Sequence, residues 1–172
     1  MSLEIITGPM FSGKTTELIQ RVLAFKKRTG LRVLVINHVF DDRACGETVE
    51  THCGIVYPAK KTNNLMLVDV RSFDVIAVDE AQFFTNLRLF VQVTIQNHGK
   101  RVIVAGLNAD YQCQPFGELH QLLSLADKID LKQAICYSCG GAASCTKRIS
   151  NSTSRVEVGG ADKYVASCRR CC

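Results

Sequence analysis

Apolar residues fall into two rhythms along this chain. Short runs rich in β-branched residues occur at Leu3–Thr7, Arg32–Asn37 (RVLVIN), Asp74–Asp79 (DVIAVD) and Arg101–Leu107 (RVIVAGL). Their apolar character is continuous and does not alternate, which predicts strands buried on both faces, as in a mostly parallel sheet. Elsewhere the apolar positions recur at helical spacing: Leu18, Val22 and Phe25 after Lys14, then Leu87, Val91 and Ile95 within Thr85–Asn97, then Leu119, Leu122, Leu123 and Ala126. The first of these helices is predicted to stop at Thr29-Gly30, where Lys26-Lys27-Arg28 suits the negative end of the helix dipole. Residues 38–66 follow neither rhythm and read as a long flexible or hairpin-like loop. Strands alternating with helices imply βαβ units and an α/β core.

The length, 172 residues, against about 150 residues for a typical domain, allows one sizeable core and a small appendage. With 47% apolar and 22% charged residues and only 3 Pro, collagen-like and disordered classes are excluded. No apolar run reaches the roughly 18 residues that span a bilayer, and Met1-Ser2-Leu3-Glu4 lacks the cationic start of a signal peptide, so a cytoplasmic protein without a membrane partner is expected. The net charge of +5 is unevenly spread. Residues 1–133 hold 15 Lys/Arg against 14 Asp/Glu, whereas residues 134–172 hold 6 against 2. A basic tail raises nucleic acid as a partner, but with no Trp and only Tyr137 and Tyr164 there, the aromatic platforms of a single-strand binder are missing and none is expected.

Six of the nine cysteines crowd the same tail. An odd total without a secretory signal argues against a disulfide framework. Cys136-x-x-Cys139 and Cys168-x-x-Cys171, with 28 residues between them, form two knuckles suited to tetrahedral Zn²⁺, and a closed four-thiolate set makes that zinc structural. A redox pair or buried free thiols is the alternative. Cys172 is a possible competing ligand and Cys145 stands outside the set. The domain division predicted from these features is 1–133 for the α/β unit and 134–172 for the zinc unit.

Gly8-Pro9-Met10-Phe11-Ser12-Gly13-Lys14-Thr15 fits G-x-x-x-x-G-K-[ST] between a predicted strand and a predicted helix. In such a P-loop, glycines let backbone N–H groups turn toward phosphate oxygens at a helix N-terminus. Lys14 would reach the β- and γ-phosphates and Thr15 would put its hydroxyl on Mg²⁺. Asp79 ends the run Val75-Ile76-Ala77-Val78 as a metal-holding carboxylate does, and Glu80 follows at the loosened strand end, where it can take a proton from an attacking oxygen. A solvated strand end is the plain alternative for this pair. His38, His52, His98 and His120 form no metal-ligand spacing and read as surface or loop histidines.

Gly8–Thr16 (GPMFSGKTT), Asp79–Phe84 (DEAQFF), Gln114–Gly117 (QPFG), Thr146-Lys147-Arg148, and Gly159–Tyr164 (GGADKY) ahead of Cys168-Arg169-Arg170-Cys171 occur in the order seen in type II thymidine kinases. The chain resembles that family over nearly its whole length. The resemblance implies a RecA-like P-loop domain, a small C-terminal zinc domain with a substrate-covering lasso loop, and a homotetramer. It also implies transfer of the γ-phosphate of ATP to the 5′-hydroxyl of thymidine or deoxyuridine.

By the same resemblance Glu80 is the general base. Gly8, Pro9, Met10, Phe11, Ser12, Gly13, Lys14 and Thr15, with Asp41 and Arg43, meet the phosphates, and Thr15 and Asp79 manage Mg²⁺. Met10, Phe83, Leu107, Tyr111, Phe116, Thr146, Val158, Gly159, Gly160 and Tyr164 line the nucleoside pocket, and Cys136, Cys139, Cys168 and Cys171 hold Zn²⁺. Asn108 departs from the Asp found in many members, and the chain ends at Cys172 without the regulatory tail of longer ones. The rival functions are a nucleic-acid-associated P-loop ATPase gripping a strand with its zinc tail, and a nucleotide-dependent scaffold without turnover.

Overall fold

A computed structural model describes the chain except residues 42–45, 52 and 53 and the side chains of residues 28 and 29. Strand β1 (Ser2–Gly8) leads through the glycine loop into helix α1 (Lys14–Thr29), followed by β2 (Val33–His38). A small antiparallel hairpin, β3 (Thr48–Glu50) with β4 (Val56–Pro58), precedes β5 (Lys60–Thr62). Then come β6 (Val75–Val78), helix α2 (Leu87–Gln96), β7 (Arg101–Leu107) and β8 (Lys128–Leu131). Six strands make one sheet in the order β5-β2-β6-β7-β1-β8, and each adjacent pair runs parallel.

The continuous apolar runs have the expected cause. In β6, Val75 and Ala77 pack into the cluster that contains Leu18, Ile19 and Val22 of α1, whereas Ile76 and Val78 pack with Leu87, Phe90 and Val91 of α2. Strand β7 repeats this, with Ile103 and Ala105 toward α1 and Val102 and Val104 toward α2. Alternate residues thus face different helix layers, and neither set can be polar. Helix α1 ends at Gly30, whose left-handed φ of 66° closes an N–H bond back to the Lys26 carbonyl. Lys26 extends its ammonium over the Tyr57 ring of β4, 5.6 Å from the centroid.

Three elements differ from the sequence expectation. Residues 38–66 do contain a hairpin, but β5 within them also joins the sheet edge beside β2. The segment from Leu119 to Leu125 is a 3-10 helix, not an α-helix. Leu119 and Leu122 are buried three residues apart, the period of that tighter helix. Strand β8 was not legible: it is four residues long, with Ile129 and Leu131 exposed, and it exists because it pairs with Glu4–Thr7 of β1. Arg21, reaching from α1 to Glu4, Glu17 and Asp130, ties this edge to the helix.

Beyond β8 the chain leaves the sheet and forms two short antiparallel ribbons, β9 (Ala134–Ile135) with β10 (Ala142–Ala143), and β11 (Cys145–Arg148) with β12 (Tyr164–Ser167). Ala134, Cys136, Ala143 and Ala166 are buried together, and Phe11 of the glycine loop packs against them.

Ile76 is fully buried between β2 and β7. Ile76→Ala is expected to cost about 2–5 kcal/mol of stability through lost burial and an unfilled cavity. Denaturant unfolding of the purified variant checks this.

Candidate active site

The glycine loop turns sharply at the C-terminal end of β1. A Cβ at Gly8 would sit 2.5 Å from the Lys132 carbonyl oxygen, so the loop can pass β8 only without a side chain there. Ser12 Oγ and Lys14 Nζ both donate to the Pro9 carbonyl, at 2.8 and 2.7 Å. Gly13, the N-cap of α1, supplies no side-chain cap. With no side chain at the N-cap, the backbone amides of this turn are the groups a helix N-terminus offers to an anion.

Thr15 Oγ1 donates to Asp79 Oδ2 at 2.8 Å, joining the start of α1 to the end of β6. Both side chains are buried, and β7 lies between β6 and β1. Glu80, the next residue, takes a left-handed φ of 51°. That conformation, costly for a residue with a Cβ by order 1–3 kcal/mol, reverses the usual strand alternation and turns the Glu80 carboxylate into the cleft. Gln82 clamps it: Nε2 donates to Glu80 Oε2 at 2.6 Å, while Oε1 accepts the Leu107 N–H at 3.0 Å.

One wall is aromatic. Phe83 meets Phe116 edge-on with centroids 5.6 Å apart, and meets Phe40 similarly at 5.5 Å. Phe116 is positioned by Gly117, which has φ 64° and where a Cβ would stand 2.2 Å from the Gln82 carbonyl oxygen. His38 is not a surface histidine. It is buried against Phe40, Phe83 and Phe84, and that burial lowers its pKa against a smaller opposing influence of Glu80. His98 and His120 are exposed and His52 lies outside the described residues.

The opposite wall is the loop between β11 and β12. Arg148, at the end of β11, is the post around which it winds. Its NH1 donates to the carbonyls of Ser152 and Ser154 and its NH2 to the Arg155 carbonyl at 3.2 Å and Tyr164 Oη at 2.8 Å. The guanidinium lies 3.8 Å from the Tyr111 ring centroid, a cation–π contact. Its Nε lacks a hydrogen bond and faces Glu157 Oε2 at 3.7 Å, a purely electrostatic approach. Tyr164 in turn donates to the Glu157 carbonyl at 2.9 Å. A second anchor is Asp110: Oδ1 accepts the N–H groups of Gln112 and Gln114, and Oδ2 accepts Arg155 Nε at 2.9 Å. Neither Gly159 nor Gly160 has a left-handed φ; a Cβ at Gly159 would collide with the Lys163 side chain, whereas one at Gly160 would make only an ordinary contact with Asp162.

Of the phosphate-loop residues singled out in the sequence, Met10, Phe11, Gly13, Lys14 and Thr15 line this cleft, and Gly8, Pro9 and Ser12 form the turn behind it. Asp41 is buried at the cleft, accepting from Asn37 Nδ2 at 2.7 Å, and Arg43 lies outside the described residues. Glu80 and all ten positions named for the nucleoside, Met10, Phe83, Leu107, Tyr111, Phe116, Thr146, Val158, Gly159, Gly160 and Tyr164, line the same cleft. Thr146 Oγ1 is held there by the Met10 N–H at 3.0 Å. Sequence reasoning missed Asp110 and Arg155 and named Gln82 and Arg148 only as parts of motifs. Each acts through partners distant in sequence.

The Sγ atoms of Cys136, Cys139, Cys168 and Cys171 lie within 4.8 Å of one another, with Cys139 and Cys168 at 3.7 Å. Ligands at 2.3 Å in a tetrahedron stand about 3.8 Å apart, so the spacing fits Zn²⁺. Backbone hydrogen bonding, first from Cys168, holds the Cys136 thiol down to about 6, whereas sharing a hydrogen bond with Cys168 pushes Cys171 up to about 12. Four thiolates cannot coexist here unless a cation offsets their charge.

A family model for thymidine kinase matches residues 1–172. The curated thymidine kinase of Fowlpox virus (strain NVSL) is 40% identical over 177 residues, covering 99% of this chain and 96% of the viral one. The thymidine kinase of Choristoneura fumiferana entomopoxvirus is 38% identical, with 99% and 96% covered, and that of Amsacta moorei entomopoxvirus 38% identical, with 99% and 97% covered.

Arg148→Met removes four hydrogen bonds, three to loop carbonyls and one to Tyr164, while keeping most of the stem. Residues 150–160 are expected to become the first site of limited proteolysis in the variant, with cleavage much slower in the parent protein.

Proposed function

The chain belongs to the thymidine kinase family, and we propose that the cleft between the glycine loop, the Phe83–Phe116 wall and the Arg148-anchored loop is where it transfers phosphate from ATP to thymidine. The reaction, phosphorylation of thymidine with ATP as donor, is the family's. The assignment of residues to steps rests on the geometry, and the observation that carries it is the pairing of Thr15 with Asp79 beside the inward-turned Glu80.

In this reading the glycine loop, Gly8 to Thr15, wraps the phosphates with its backbone amides, and the uncapped α1 N-terminus adds positive potential. Lys14 Nζ, on the Pro9 carbonyl at 2.7 Å, exchanges that partner for a phosphate oxygen. Thr15 Oγ1 and Asp79 Oδ2 are converging hard oxygen donors, the chemistry Mg²⁺ selects, and they would hold it. When bound, Mg²⁺ neutralises charge on the phosphates. Asp41 borders the phosphate end, and Arg43 is assigned to it by resemblance alone. Glu80 accepts the proton of the 5′-hydroxyl as it attacks, with Gln82 fixing the carboxylate.

The nucleoside base lies between Phe83, Phe116 and the loop carrying Val158, Gly159 and Gly160, with Met10 and Thr146 near its 5-substituent and Leu107, Tyr111 and Tyr164 completing the walls. Losing one methyl in such a pocket costs only about 1–3 kcal/mol, whereas a mismatched polar edge costs more. Deoxyuridine is accordingly a second substrate.

Residues 134–172 act as the second domain, held by one structural Zn²⁺ on Cys136, Cys139, Cys168 and Cys171, in a cytoplasmic setting that keeps thiols reduced. The exposed apolar residues Ile129, Leu131, Ile135 and Tyr137 on and after β8 support burial in a homotetramer. Among the described residues no helix is long and apolar enough to cross a membrane. A nucleic-acid ATPase gives the Phe116 wall and the Gly159–Tyr164 loop no task.

Glu80→Gln is expected to keep ATP binding and lower thymidine turnover by roughly 10²–10⁴-fold. Undiminished phosphorylation would remove Glu80 as the base. Deoxyuridine should be phosphorylated in the same assay, and deoxycytidine and purine nucleosides far less. Elemental analysis should find zinc in the purified protein, and chelation should loosen residues 134–172 before the sheet.

A further inference from the structure

Three thiols outside the four-cysteine knot meet beside the cleft. The Sγ atoms of Cys113, Cys145 and Cys172 lie within 4.8 Å of one another. They come from separate segments: the loop after β7, the first residue of β11, and the position following the second knuckle. We infer that Cys113, Cys145 and Cys172 form a second metal site, a three-thiolate seat for a soft cation such as Zn²⁺ with its fourth position left to an exogenous ligand.

The donor set decides the chemistry. Three thiolates at 2.3 Å around a metal stand about 4 Å apart in the planar limit, so the observed spacing needs only side-chain adjustment. Thiolates select Zn²⁺ or Cu⁺ over Mg²⁺, and the cluster therefore does not compete for the ion that suits Thr15 and Asp79. Cys113 and Cys172 are exposed and Cys145 is half-buried, which leaves a path for the cation and room for a water on its open side. Cys113 holds a left-handed φ of 59°, fixed by its N–H bond to the Asp110 carbonyl at 3.0 Å. Ser144 Oγ stands 3.8 Å from Cys145 Sγ, an outer-shell partner for that ligand.

The position gives the site a consequence. Cys113 belongs to the loop bearing Tyr111 and Phe116, and Cys145 precedes Thr146, which accepts the Met10 N–H. A bound cation would cross-link the aromatic side of the cleft to the glycine-loop side through the tail.

The test uses the full-length reduced protein, stripped of loosely held metal and equilibrated with Zn²⁺ alone. The parent protein is expected to bind one more equivalent of zinc than Cys145→Ser or Cys113→Ser, all three keeping the ion of the knuckles. Alkylation followed by peptide mass spectrometry should find Cys113 and Cys172 protected by added Zn²⁺ in the parent and unprotected in Cys145→Ser. Two variants at different positions separate loss of a ligand from a local folding fault. Equal zinc content in the parent and both variants, or a Cys113 alkylation rate that ignores Zn²⁺, would overturn the site. So would a disulfide among the three that persists in excess reductant.

Discussion

The hydrogen bond from Thr15 Oγ1 to Asp79 Oδ2 is the contact on which the site depends, because it locks the start of α1 to the end of β6 across an intervening strand. Neither partner can be placed by its own element. Thr15 needs the tight turn at Gly8 and the cap at Gly13, and Asp79 needs β6 buried on both faces so that its strand end stays fixed. With these two set, the left-handed residue that follows can only turn its carboxylate inward. The strain at Glu80 is thus supported by the parallel sheet beneath it and by the Gln82 clamp above.

The second wall is held by a different kind of force. The loop between β11 and β12 has no buried apolar core of its own, and its order comes from cations: Arg148 gathers its carbonyls, Arg155 docks on the buried Asp110, and Lys163 donates to the Val158 carbonyl and pairs with Glu157. Charge-assisted bonds to carbonyl and carboxylate oxygens are stronger than neutral ones, which suits a segment that must close a pocket without a hydrophobic anchor. Because Arg148 also lies over the Tyr111 ring, the post that winds the loop backs a residue of the cleft wall.

Four thiols gather the remaining segment. The ribbons β9–β12 are two to four residues long and bury few side chains, too little apolar surface to order the tail unaided. A cation on the four thiolates, which lie within 4.8 Å of one another, would supply what packing does not. Phe11 packs against the same small cluster, Ala134, Cys136, Ala143 and Ala166, as Cys168 and Cys171 do, so the glycine loop and the tail share a buried contact.

The amino-acid sequence by itself determined the sheet strands β1, β2, β6 and β7 and both α-helices, because doubly buried strands and amphipathic helices write periodicities that need no partner to be read. It also determined the glycine loop, the Asp79-Glu80 pair and the four-cysteine spacing, since their chemistry depends on residues close in the chain. Only the tertiary structure decided the rest. Strand β8 and edge strand β5 are too short and polar to announce themselves and form by pairing with strands already built. The 3-10 geometry at Leu119–Leu125 follows from packing Leu119 and Leu122 under α2. His38, Asp110 and Arg155 belong to no motif, and the motifs that contain Gln82 and Arg148 do not show their roles. Each is defined by a hydrogen bond, ring or charge supplied from elsewhere in the chain, and no local pattern records that. The meeting of Cys113, Cys145 and Cys172 has the same origin: their spacing in sequence is arbitrary, and only the return of the tail past the loop after β7 makes them neighbours.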